Sequence, residues 1–126
     1  MKYDTRALEQ ALNEMHEQLG DAIIATGIWT RQTEEVLAAI NHQPVAVTMF
    51  NALTDNIAAA LNNSGFPRLH RYYFMDLDDD HVVLIIQHDA QVLQGSLLDS
   101  SKIKVGVLIS VTIPKLIQRV AAARRH

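Results

Sequence analysis

The chain has 126 residues, 48% of them hydrophobic, and a formal net charge of −3 at pH 7. This length and apolar content predict a single domain over residues 1–126 with a sizeable core, and they exclude wholesale disorder. Because the sequence has no cysteine, disulfides, thiolate nucleophiles and cysteine-rich zinc sites are excluded. The basic residues are scattered without a dense stripe, so we expect no nucleic-acid partner.

The sequence also indicates where the protein is located. No run approaches about 18 consecutive apolar residues, the length of a membrane span. The N-terminus continues from Lys2-Tyr3-Asp4 into a polar helix, which is not the pattern of a signal peptide. We therefore expect a cytoplasmic protein with no membrane partner.

The first predicted helix runs from Thr5 to Leu19, with Asp4 as its N-cap and Gly20 at its end. Its apolar residues recur at helical spacing on one narrow face. Strands are predicted at Ala22–Trp29 and Glu35–Ile40, joined by the polar stretch 30–34. Taken alone, Glu35–Ile40 also fits a helix.

A second helix is predicted between Pro44, which suits a first helical turn, and Gly65, which suits a helix end. It carries two apolar stripes that together are wider than one sheet face needs. The first stripe is Ala46, Phe50, Leu53, Ile57, Ala60 and Leu61; the second is Val45, Met49, Ala52, Asn56 and Ala59. The extra apolar surface of this helix fits either a plain monomer core or a self-association face, and we favour the self-association face. Asn56 would fix the register of such a contact or simply be exposed.

A hairpin is predicted over 69–89. Its first strand, Leu69–Leu77, contains Arg71-Tyr72-Tyr73-Phe74-Met75 and is typical of an edge that meets a partner. Asp78–Asp80 form the turn. The second strand, Val82–Ile86, is apolar at every position, which predicts burial on both faces. A further strand is predicted at Gln91–Leu98.

The acidic turn is similar in composition to the acidic loops of metal-binding and phosphate-transfer sites. An EF-hand loop beginning at Asp76 would need Gly and Glu where His81 and Gln87 stand. His81 and His88 point to opposite faces of their strand, so we interpret them as ordinary surface histidines. Phosphate-loop, dinucleotide, nucleophile-elbow and zinc-protease motifs are absent from the sequence. We therefore predict no catalytic, cofactor-binding or metal-binding residues.

Residues 101–125 fit two structures. Their β-branched residues favour a strand, whereas a serine cap at Ser100 or Ser101 and the helical spacing of Leu116, Ile117 and Val120 favour a helix. Pro114 would kink such a helix and free the Ser110 carbonyl. Arg119, Arg124, Arg125 and His126 are interpreted as a solvated helix terminus.

The segment Gly95–Gln118, GSLLDSSKIKVGVLISVTIPKLIQ, together with the element order, resembles the roadblock / dynein light chain family, which includes bacterial proteins of the mutual gliding protein B type. Asp99 matches the acidic end of the family's last strand, and Gly106 within Ile103–Leu108 matches its helix start. The stretch between Trp29 and Glu35 departs from the family because it lacks the usual glycine turn.

The resemblance implies an α+β fold with order α-β-β-α-β-β-β-α, in which a five-stranded antiparallel sheet carries helices on both faces, as in profilin and longin domains. It places residues 101–125 in a helix kinked at Pro114. It also implies a homodimer through the second helix and third strand. The implied interface residues are Val45, Met49, Ala52, Asn56, Ala59, Arg71, Tyr72, Tyr73, Phe74 and Met75.

Three functions follow as hypotheses. The leading one, implied by the resemblance, is a non-enzymatic homodimeric adaptor that regulates a small Ras-like GTPase or other NTPase, without a cofactor. The alternative is a small-ligand sensor of profilin-like architecture, with an internal pocket near Trp29 or His88. A hydrolase using the acids and histidines between Asp76 and His88 is third.

Overall fold

The computed structural model describes residues 2–125, and its centre is a five-stranded antiparallel sheet with helices on both faces. The strands are β1 Lys2–Tyr3, β2 Ile23–Thr30, β3 Val36–Ile40, β4 Tyr72–Leu77, β5 His81–Gln87, β6 Val92–Asp99 and β7 Arg124–Arg125. The helices are α1 Thr5–Leu19, α2 Pro44–Asn63 and a C-terminal helix, Val105–Ala122. The strand order is β3-β2-β6-β5-β4. The predicted α+β class and its layered sheet are confirmed.

Helix α1 begins and ends where its capping residues predict. The Asp4 carboxylate accepts the backbone N–H of Arg6 at 3.1 Å and of Ala7 at 3.3 Å, which satisfies donors that a helix start leaves free. Gly20 follows Leu19 with a φ of 54°, a left-handed conformation that glycine adopts without steric cost. The predicted bounds and caps are confirmed.

The first hairpin turns without glycine because Glu34 adopts the left-handed conformation itself, at φ 57°. The N–H of Thr30 donates to the carbonyl of Glu35 at 2.9 Å and closes the turn. β2 and β3 pair from Thr26 opposite Ile40, with an irregularity between Ile28 and Trp29. The predicted hairpin is thus confirmed, and the helical alternative for Glu35–Ile40 is wrong.

The second hairpin turns at Asp78–Asp80, with Leu77 paired to His81 and both Asp79 and Asp80 at positive φ. In β5, Val83 to Ile86 are at most 3% exposed, which confirms burial on both faces. β4 starts at Tyr72, not at the predicted Leu69. Just before Tyr72, the Gln87 backbone N–H donates to the Arg71 carbonyl at 2.6 Å, and the Gln87 side chain donates to the His70 carbonyl at 2.9 Å.

The C-terminal segment is helical, so the strand alternative is wrong. It is α-helical at Val105–Val107, π-helical over Leu108–Thr112 and α-helical again at Ile113–Ala122. The π-helical turn directly precedes Pro114, which has no N–H to donate to the Ser110 carbonyl. Among residues 2–125, this helix alone has the length and apolar composition of a membrane span, a test that core helices of soluble proteins also pass.

Strands β1 and β7, near the two ends of the chain, form a small two-stranded sheet. β1 pairs antiparallel with β7, so that Lys2 faces Arg125 and Tyr3 faces Arg124. Arg124 also lies 3.8 Å from Asp89, and the Tyr3 hydroxyl donates to the same carboxylate. Arg124 and Arg125 are exposed, as predicted, but they lie in β7 and not at a helix terminus. Arg125 lies 3.8 Å from Asp4. His126, part of the same prediction, lies outside the described residues.

Candidate interaction surface and apolar groove

Helix α2 lies on one face of the sheet, while α1 and the C-terminal helix share the other. The buried side of α2 is centred on Val47, Phe50 and Thr54. Phe50 belongs to the predicted core stripe, whereas Val47 and Thr54 were missed because they lie on the side of the first stripe that faces away from the second. The second predicted stripe, consisting of Val45, Met49, Ala52, Asn56 and Ala59, is exposed along its whole length. Val45 is 73% exposed and Met49 51%.

Strand β4 is an edge of the sheet and has only β5 as a neighbour among the described residues. Tyr73 and Met75 are half-buried on the α2 side. Tyr72 and Phe74 are exposed on the opposite face, with their rings edge-to-face at 5.7 Å. Arg71, the last residue of the set, is also exposed. The residues implied as a dimer interface thus lie on two elements, the outer side of α2 and the β4 edge, and all of them except Tyr73 and Met75 are exposed.

Hydrogen bonds fix α2 to the first hairpin. The Trp29 indole N–H donates to the Asn51 side-chain oxygen at 2.9 Å, and the Asn51 amide donates to the Arg31 carbonyl at 3.1 Å. Arg31 in turn forms an ion pair with Asp55. One flank of the helix is therefore anchored by side chains from β2 and its turn, which leaves the exposed stripe on a rigid support.

The aromatic residues beneath α2 approach the sheet closely. The rings of Trp29 and Phe50 lie 6.4 Å apart and nearly parallel, with 20° between their planes. Gly95 lies below them. A Cβ at Gly95 would be 2.6 Å from Phe50 Cδ2 and 2.8 Å from Trp29 Cη2. Glycine is therefore required at this position for the two rings to pack on the sheet.

Beside these rings the N-terminal half of α2 leaves part of the sheet uncovered. The result is an apolar groove of about 440 Å³, open at its rim. Its floor is Ala25, Gly27, Val83, Gly95 and Leu97; its walls are Trp29, Phe50 and Met49; its polar end is Asn41, His42 and Gln43. Sequence reasoning placed a pocket near Trp29 but did not find its outline.

The other face of the sheet holds a buried polar chain. His88 Nε2 donates to the Gln94 side-chain oxygen at 2.9 Å, and the Gln94 amide donates to Thr26 Oγ1 at 3.1 Å. Burial lowers the pKa of His88 to about 4, so its ring is neutral at pH 7. The prediction of a surface histidine is wrong here, because Gln94 gives a buried ring a partner. Residues 2–125 contain no cluster of three or more His, Asp or Glu that could hold a metal.

No protein-family model matches this sequence, and no curated protein sequence matches it. Solved structures do match: the chain has the fold of the roadblock/LC7 domain, to which the sequence pattern pointed. The particular structures include MglB of Myxococcus xanthus, with a TM-score of 0.79, 6% identity, and coverage of 100% of this chain and 96% of that one.

Two further structures agree. The gliding protein MglB of Thermus thermophilus has a TM-score of 0.72 at 13% identity, covering 98% of this chain and 95% of its own. A roadblock/LC7 domain from Streptomyces avermitilis has a TM-score of 0.65 at 11% identity, covering 90% and 94%. At these identities the likeness is one of fold, and it confirms the predicted roadblock-like architecture.

Proposed function

We propose that this protein is a non-enzymatic homodimeric adaptor that regulates a small Ras-like GTPase or other NTPase in the cytoplasm. The observation that carries the proposal is the exposed apolar stripe of α2 beside the open edge of β4. Contiguous apolar surface on a small domain marks an interaction site. The roadblock/LC7 fold supports the regulatory role, since the resemblance of the sequence to that family implies it.

The geometry suggests how two copies would meet. If β4 pairs antiparallel with its own symmetry mate, the two-fold axis is perpendicular to the sheet, so each face of one sheet continues into the same face of the other. Both α2 helices would then lie on one side, with their Met49 and Ala52 surfaces facing across the axis. Asn56 would lie within this contact and favour one register.

A continuous two-subunit sheet would be a rigid platform for a GTPase. Arg31, Arg119 and Arg124 are each occupied in ion pairs with Asp55, Glu14 and Asp89, so none of the three is held free as an arginine finger. Any stimulation of hydrolysis would come from ordering the switch segments of the GTPase.

Substitution of Met49 by Asp tests the dimer. The new carboxylate would be buried without a partner in the proposed contact, so Met49→Asp should be monomeric in light scattering where the wild-type chain is dimeric. Gln10→Asp adds the same charge to the exposed side of α1 and should remain dimeric. A monomeric wild-type chain, or a dimeric Met49→Asp variant, would contradict the proposed dimer.

The partner requires a second experiment. The wild-type chain and Gln10→Asp should capture the same GTPase or other NTPase from the native cell, identified by mass spectrometry, and Met49→Asp should lose it. Capture of a partner that neither binds nor hydrolyses nucleotide would remove the GTPase part of the proposal and leave the dimer intact.

The groove beside Trp29 favours one other function, a small-ligand sensor. The floor of the groove belongs to one chain, whereas Val45 and Met49 at its rim also belong to the exposed stripe.

A further inference from the structure

The groove under the N-terminal half of α2 has the size and lining of a small-molecule site. Its volume of about 440 Å³ lies within the roughly 300–1,000 Å³ typical of ligand pockets. Trp29 and Phe50 form one wall, and Val83 and Leu97 form an aliphatic floor. An occupant would therefore have an extended apolar body.

Gly27 leaves the floor of the groove without a side chain at its centre. A Cβ at Gly27 would meet Trp29 Cε3 at 3.8 Å and Ala39 Cβ at 3.9 Å, which are ordinary contacts. The packing of the chain therefore does not require glycine here, in contrast to Gly95. Glycine inside a strand destabilises it and often marks a place where a ligand approaches the backbone. The missing side chain leaves the centre of the floor open.

The polar groups of the groove lie at one end, in the loop of Asn41, His42 and Gln43. This loop leads into α2, whose first turn has no acidic residue and no side-chain cap. The start of a helix carries partial positive charge, so this end orients an occupant with its negative group towards His42.

We propose that the groove binds a small amphiphile, a molecule of the medium-chain fatty-acid class, with its apolar chain over Gly27 and its carboxylate beside His42. This site does not rest on the proposed adaptor function. A second copy of the chain is the competing occupant, because Val45 and Met49 belong both to the groove and to the exposed stripe.

Trp29 makes the site directly observable, since it is the one tryptophan in the sequence. Dodecanoate, kept below its micelle concentration, would be titrated into the full chain while Trp29 emission is recorded, with calorimetry for stoichiometry. We expect saturable binding of one molecule per chain. Dodecyltrimethylammonium has the same tail and the opposite charge, and it should bind at least about fivefold more weakly. Unsaturable binding, or equal binding of both probes, would overturn the proposal.

Two substitutions at Gly27 distinguish loss of dodecanoate binding caused by filling the groove from loss caused by disturbing strand β2. Gly27→Leu should weaken dodecanoate binding at least about tenfold because its side chain occupies the floor. Gly27→Ala, which adds only a tolerated methyl group, should retain binding. If Gly27→Leu fails to fold by circular dichroism, Leu77→Asp places a carboxylate on the groove lining from a half-exposed position and should weaken binding comparably. Undiminished dodecanoate binding in folded Gly27→Leu, or in folded Leu77→Asp, would overturn the proposal.

Ala52 distinguishes this site from the dimer. It lies on the exposed stripe but does not line the groove, so Ala52→Asp should abolish self-association and leave dodecanoate binding unchanged. Loss of self-association in Gly27→Leu, with no dodecanoate binding by the wild-type chain, would assign the groove to a second copy instead.

Discussion

The hydroxyl oxygens of Tyr73 and Thr54 lie 2.8 Å apart and join the edge strand β4 to the centre of α2. Thr54 is fully buried, so its hydroxyl has no access to water and depends on this partner. Burial raises the pKa of Tyr73, which keeps the phenol protonated and able to donate. This part-buried hydrogen bond thus joins the two elements of the proposed interface, in addition to the apolar packing of Tyr73 and Met75 beneath α2.

Removing the phenol should cost stability. In Tyr73→Phe the Thr54 hydroxyl is left buried without its partner, and we expect the free energy of unfolding to fall by about 1–2 kcal/mol in urea denaturation. Thr54→Val combined with Tyr73→Phe should cost less than the sum of the two single changes, because the double variant leaves no orphaned hydroxyl. Strict additivity would show that the two residues are not coupled.

Gly95 and Gly27 should respond oppositely to the same substitution. The Cβ of Gly95→Ala would lie 2.6 Å from Phe50, so the ring must move, and we expect a loss of about 1–3 kcal/mol in the free energy of unfolding. Gly27→Ala makes only ordinary contacts and should be neutral or stabilising by up to about 1 kcal/mol. Thermal unfolding of the two variants measures the difference. A larger loss at Gly27 than at Gly95 would contradict this account of the sheet surface.

Local signals explain what the sequence predicted well. The bounds of α1 were predictable because Asp4 and Gly20 act through the backbone beside them, and Pro44 marks the start of α2 in the same way. The segment 101–125 was ambiguous from pattern alone, since β-branched residues suit both a strand and a buried helix face. The family resemblance resolved it, and the structure adds the π-helical turn before Pro114.

Long-range packing explains what the sequence did not predict. His88 lies just after β5 and Gln94 lies in β6, and nothing in their six-residue spacing shows that the two side chains meet. The groove is equally non-local, because Gly27, Val83 and Met49 come together only when α2 crosses the sheet. Thr54 was missed for a related reason: it is a polar residue in a helix whose core face was identified by apolar side chains. Whether the α2 stripe forms a dimer remains a prediction.

Protonation of His88 should make folding depend on pH. Its pKa is about 4 in the folded protein and about 6.5 in an unfolded chain. Because the folded state binds this proton less readily, the stabilising contribution is complete above about pH 6.5 and is lost as the pH falls towards 4. The total is on the order of 3 kcal/mol. His88→Gln keeps a side chain that hydrogen-bonds Gln94 but does not titrate, so its free energy of unfolding should fall less between pH 6.5 and 4 than that of the wild-type chain. Carboxylates other than the neighbouring Asp89 contribute equally to both curves. The free energy of unfolding would be measured by urea denaturation at each pH. An equal fall for both proteins between pH 6.5 and 4 would show that His88 is not a buried neutral group.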